Sequence, residues 1–131
     1  MLRLVGIVDS MALLAVVMPT SIMAGIHEAI GLGPFPDGRL VGYLARSTSL
    51  LYAMLGLLMF YLSFHVVRFR PVIQFFSALF ACCGVLLLGI DIAESMPLWW
   101  TLSEGPLVIC AGSLLFWLAR ECEDAELESP L

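Results

Sequence analysis

Lysine is absent from this 131-residue chain, and its six arginines are scattered rather than gathered into a stripe. Nucleic-acid binding, which needs a basic face for the phosphate backbone, is thereby disfavoured. Charge of either sign is scarce, at 13% of residues, against roughly a quarter in a soluble domain. Cys82, Cys83, Cys110 and Cys122 form no C-x-x-C redox pair, and no two of them share an outward loop where a disulfide would persist. The motif of two histidines one turn apart with a glutamate is missing, so no metal is implied. A haem held between His27 and His65 fails on geometry, because the two lie at opposite ends of apolar runs. Internal repeats, low-complexity segments and nucleophile motifs are also missing, and no cofactor is called for.

What the chain has in quantity is hydrocarbon. Hydrophobic residues make up 61% of it, and mean hydropathy is +1.01. A small globule in water cannot hide that much apolar surface. The net charge of −5 is mostly a tail, since Glu121, Glu123, Asp124, Glu126 and Glu128 fall in the last eleven residues. The composition therefore predicts one membrane domain over residues 1–120 and an acidic cytoplasmic tail over 121–131.

Four apolar runs are long enough to cross a bilayer, for which a helix needs about 20 residues. They cover residues 4–26, 40–64, 72–92 and 102–119. Period-2 alternation is lacking, which excludes a β-barrel. Short links favour antiparallel neighbours, so the expected fold is all-α, a transmembrane antiparallel four-helix bundle. The first run is read as a retained helix rather than a cleaved signal peptide, because Asp9 interrupts it and it exceeds a signal core in length. Pro19 should bend that helix, with Thr20 and Ser21 compensating.

Arginine placement sets the orientation. Arg3, Arg68, Arg70 and Arg120 share one side, against Arg39 and Arg46 on the other. The positive-inside rule then puts both termini and the 65–71 link in the cytoplasm, with the 31–39 and 93–101 loops outside. Trp99 and Trp100 fit the outer aromatic belt, and Phe116 with Trp117 the inner one.

Ionisable residues recur near the outer ends of all four runs. His27 and Glu28 close the first, Arg46 lies inside the second, Asp91 ends the third and Glu104 opens the fourth. Charge at such depth is costly, so these five form the candidate polar cluster. Small residues share faces with three of the ionisable groups. Arg46, Ser49, Ala53, Gly56 and Phe60 form one arc, and Ser77, Ala81, Gly84, Leu88 and Asp91 another. Asp9, Ala12, Val16, Thr20, Met23 and His27 form a third if the bend at Pro19 is ignored. A guanidinium cannot shed its charge, so Arg46 is expected to find a carboxylate, Glu104 first, then Asp91 or Glu28. Against that pairing, Thr101-Leu-Ser-Glu104 has the capping-box pattern, with Gly105-Pro106 in the first turn. Asp37 reads as the cap of the second helix. Asp9, an intramembrane carboxylate on the cytoplasmic side, is expected near Arg68, Arg70, His65 or the Ser63 hydroxyl, or else to be protonated by desolvation. His27 has a plainer role available as a hydrogen-bond donor to a loop carbonyl, and the cysteines and methionines read as packing material.

The loop strings are distinctive: HEAIGLGPFPD from His27 to Asp37, YLARS from Tyr43 to Ser47, FRP ending at Pro71, and MPLWWTLSEGP from Met96 to Pro106. With them the chain resembles a group of small bacterial four-helix integral membrane proteins that have no assigned activity. Its hydropathy layout also resembles the DoxX-like membrane proteins in architecture. These resemblances imply a multi-pass protein of a bacterial inner membrane and add no catalytic residue. Two function classes follow. One is a non-enzymatic accessory protein, or a bundle that binds lipid or another helix, alone, as a homo-oligomer or in a larger membrane complex. The other is a transporter or membrane enzyme that uses the outer polar cluster.

Overall fold

Proline decides how the first apolar run folds. Pro19 has no amide hydrogen, and its ring drives the residue before it out of helical geometry. Met18 accordingly takes φ −67°, ψ 132°, and Pro19 itself φ −58°, ψ 141°. The computed structural model describes residues 1–127, with side chains through Glu121. In it the run becomes α1 (Leu2–Ser10), α2 (Leu13–Val17) and α3 (Thr20–Ala29). The expected single bent helix is thus corrected to a broken one. Between α1 and α2 the chain passes through a tighter turn, with Leu14 N bonded to Met11 O and Ala15 N to Ala12 O. The interruption at Met18–Pro19 is the complete one.

Three longer helices follow: α4 (Arg39–Leu62), α5 (Arg70–Ala93) and α6 (Leu98–Leu127). Among the described residues all the regular structure is helical, as expected. α4, α5 and the Leu98–Glu121 part of α6 are long and apolar enough to cross a membrane. None of α1, α2 and α3 reaches that length alone. α6 continues past the expected boundary at Arg120. The acidic tail's side chains from residue 122, and its last four residues entirely, lie outside the described residues.

The chain divides into two compact units, residues 1–64 and 65–131. In the first, α1 and α2 pack antiparallel on α4. Gly6 and Gly56 make this approach close. A Cβ on Gly6 would lie 2.6 Å from the Phe60 amide nitrogen, and one on Gly56 would lie 2.8 Å from the Asp9 carbonyl carbon. Helices that must associate in a medium as apolar as their own side chains gain by such backbone proximity. At the far end of the contact Arg3 lies over the Phe64 ring, 4.7 Å from its centroid.

In the second unit α5 and α6 are antiparallel and joined in the same way. A Cβ on Gly112 would meet the Ala81 nitrogen at 2.6 Å and the Ser77 carbonyl at 2.7 Å. One on Gly84 would meet Ile109 at 2.7 Å, and one on Gly105 would meet the Leu88 Cβ at 2.9 Å. The expected α5 arc of Ser77, Ala81, Gly84 and Leu88 is therefore its contact face.

Helix ends explain the turns. α3 closes in a Schellman motif, with Leu32 N on His27 O and Gly31 N on Glu28 O, and Gly31 takes the left-handed conformation at φ +81°. α4 starts from Gly38 (φ +140°) without a side-chain cap, so the expected Asp37 cap is not formed. α5 ends in the same motif as α3, with Met96 N on Asp91 O and Ser95 N on Ile92 O. Here the left-handed position belongs to Ser95, at φ +54°. A serine Cβ is crowded in that conformation, so Ser95→Gly should stabilise the protein by about 1 kcal/mol. Urea titration in mild detergent would measure the gain, and a loss of stability would contradict the assignment.

Far more large apolar side chains are exposed than a water-soluble domain would leave on its surface. Ala53, at 1% exposure, and Ser77, Met59, Leu62 and Ile73, each at 3%, are the most enclosed side chains among the described residues. Leu40, Leu86 and Leu107 are each about two-thirds exposed.

Candidate functional site

Arg46 is the best-defined polar group of the expected cluster. α4 carries it about 10 Å of helix rise inward from Arg39. The antiparallel packing of the first unit brings it to the break at Met18–Pro19. In an unbroken helix the Met18 carbonyl would accept from the Ile22 amide, but Ile22 N bonds to Pro19 O instead. Arg46 supplies the missing donor. Its Nη2 donates to Met18 O at 3.0 Å and to the Thr20 hydroxyl at 3.3 Å, while Nη1 reaches back to Gly42 O at 3.4 Å. Within its own unit Arg46 thus holds three neutral oxygens. Both signals, Pro19 and Arg46, were visible in the sequence; what linked them was the register of α2 against α4.

His27 takes the plainer of its two expected roles. Its Nδ1 lies 2.9 Å from the Gly33 carbonyl, which can only accept, so that nitrogen carries the proton. Its ring meets Phe35 edge-on at 5.4 Å. Together these contacts fold the glycine–proline loop back on α3. Glu28, next along the helix, is exposed.

In the second unit Glu104 accepts a hydrogen bond from the Trp100 indole one turn earlier. The capping-box reading is overturned. α6 begins at Leu98 after Pro97, so Thr101 is already helical and its hydroxyl donates to the Pro97 carbonyl. For the same reason Pro106 lies inside α6 rather than in its first turn, where its ring removes a bond to the Leu102 carbonyl. Asp91 is buried at 4% exposure in the last turn of α5, and its Oδ2 has no hydrogen-bond partner.

Asp9 lies on α1 beside the Gly56 contact, with a buried Oδ2 that also lacks a partner. The expected bond to Ser63 is not made, because that hydroxyl donates to the Phe60 carbonyl. Within each unit Arg46, His27 and Glu104 thus bond to backbone and neighbouring side chains. No group of three His, Cys, Asp or Glu side chains among the described residues is placed to hold a metal ion. Cys82, Cys83 and Cys110 are free and exposed on the outer helix faces, not packed inside as expected.

No family model, curated protein or solved structure matches the chain.

Proposed function

We propose that this chain is a small integral membrane protein of a bacterial inner membrane, and that it serves as a non-enzymatic accessory protein or a lipid- or helix-binding bundle. In this reading the broken first run crosses the bilayer along with α4, α5 and α6, completing an antiparallel four-helix transmembrane bundle with both termini cytoplasmic. The observation that carries it is the large apolar surface left exposed on the long helices. Leucines about two-thirds exposed on α4, α5 and α6, on helices that meet through glycine, alanine and serine contacts, need hydrocarbon around them.

The arginines support the orientation. Arg3 sits at the C-terminal end of α4, and Arg120 lies in the C-terminal part of α6, alongside which its antiparallel partner α5 begins with Arg70. The link between α4 and α5 joins those two ends and adds Arg68. The local bonds of Arg46, His27 and Glu104 favour a structural role for these residues and thereby the accessory class.

The second reading, a transport or catalytic path through the outer cluster, draws on Asp91, whose enclosed carboxylate oxygen lacks a partner. Extraction with surrounding native lipid, followed by mass spectrometry of co-purifying material, separates the two. The accessory reading expects a partner protein or lipid in fixed ratio that survives Asp91→Asn. Loss of that association in Asp91→Asn, with the fold intact, would favour the second reading.

A further inference from the structure

Asp91 carries its carboxylate into the last turn of α5 at 4% exposure, and its Oδ2 has no hydrogen-bond partner among the described residues. A carboxylate enclosed in this way is costly unless a proton or another positive charge accompanies it. The second unit supplies none at that end. Leu88 packs against Gly105, so Asp91, one turn on, falls level with Thr101, one turn earlier on α6. Thr101 is nearly as enclosed, and its hydroxyl donates to the Pro97 carbonyl, which leaves the oxygen able to accept. The ionisable neighbours, exposed Glu94 on α5 and Glu104 on α6, are both acidic. The carbonyls that close α5 add the negative end of its dipole. α6 opens with its positive end at Leu98, yet no amide there reaches the Asp91 Oδ2. No arginine, lysine or histidine occurs between residues 71 and 119, and Arg70 lies about 30 Å of helix rise away.

We propose that the Asp91 carboxylate, with the Thr101 oxygen at its level, is an exchangeable site for a small monovalent cation, H⁺ or Na⁺. This inference rests on the membrane reading above and names the ligand of the carboxylate on which the second reading draws. Every charge placed near Asp91 within its unit is negative, which selects a cation. A divalent ion is the poorer occupant. It asks for six or more oxygen ligands or a retained shell of water, which an enclosed Asp–Thr pair does not supply.

The test is infrared difference spectroscopy on the full chain in phosphatidylcholine vesicles. One step changes pH across neutrality in choline salt, and a second replaces choline with sodium at fixed pH. A proton site gives carboxyl difference bands in the first step alone, and a sodium site gives them in the second. Asp91→Asn should lose these bands at unchanged helical content. Asp91→Glu, which keeps the carboxyl group, should shift them rather than remove them. If neither step yields a band that these variants alter, the proposal is overturned. That result is expected of a carboxylate held in an ion pair by Arg39 or Arg46 of the first unit, the competing occupants, and equally of an acid that never releases its proton. A chain that stays in the membrane through alkaline carbonate but shows no such band refutes the cation site alone. Release by carbonate refutes the membrane reading itself.

Discussion

Gly56→Val is expected to force α1 away from α4 and to destabilise the N-terminal unit by about 3 kcal/mol, the upper range for overpacking a close contact. The atoms that a side chain at Gly56 would strike are the backbone of Asp9 and Ser10, which cannot rotate aside as a flexible side chain could. Gly112→Val should do the same to α5 and α6, where the obstacles are the Ser77 carbonyl and the Ala81 backbone. Gly89 provides the control, because nothing lies within 4 Å of its missing Cβ. Gly89→Ala should therefore be neutral or stabilising, by up to about 1 kcal/mol from helix propensity. Unfolding in mixed detergent micelles, followed by circular dichroism, measures all three. If Gly56→Val were as mild as Gly89→Ala, the α1–α4 contact would have to lie elsewhere.

Arg46→Ala should cost about 2–3 kcal/mol, the range for losing a hydrogen bond to a charged group and leaving a carbonyl without a donor. The mechanism makes a sharper claim than the magnitude. If Arg46 serves the helix break, restoring the helix should make the arginine less necessary. Pro19→Ala gives back an amide hydrogen and lets the Ile22 amide return to the Met18 carbonyl. In that background Arg46→Ala should cost at least about 1 kcal/mol less than in the native chain, a coupling well above the scatter of independent sites. Strict additivity of the two substitutions would separate Arg46 from the break.

Much of the architecture could be read from the sequence because hydrophobic length and small-residue spacing are local signals. The three long helices, the contact face of α5 at Ser77, Ala81 and Gly84, and the enclosed Ala53 and Gly56 of α4 all follow from periodicity. The contacts of Gly6 and Gly112 are not legible, because a lone glycine in an apolar run does not say which partner approaches it. Polar bonding was less legible. Charge alone points Arg46 to a carboxylate and does not show that the break at Pro19 frees a carbonyl within its reach. Glu104 was read as a cap because its neighbours fit a pattern. Helix α6 starts four residues earlier than that pattern requires, since Pro97 permits Leu98 to begin it. The spacing Trp100-x-x-x-Glu104 was the available signal for the bond that forms.

The central claim is that the broken first run crosses the membrane as the three long helices do. Side-specific labelling in intact cells tests it most directly, with an epitope at the N-terminus, Pro34→Cys in the loop after α3, and a membrane-impermeant maleimide. The account predicts that Pro34→Cys is labelled from outside, while the N-terminal epitope and native Cys122 are reached only after permeabilisation. An epitope and a position 34 that react from the same side would mean three crossings, and the four-helix account would be wrong.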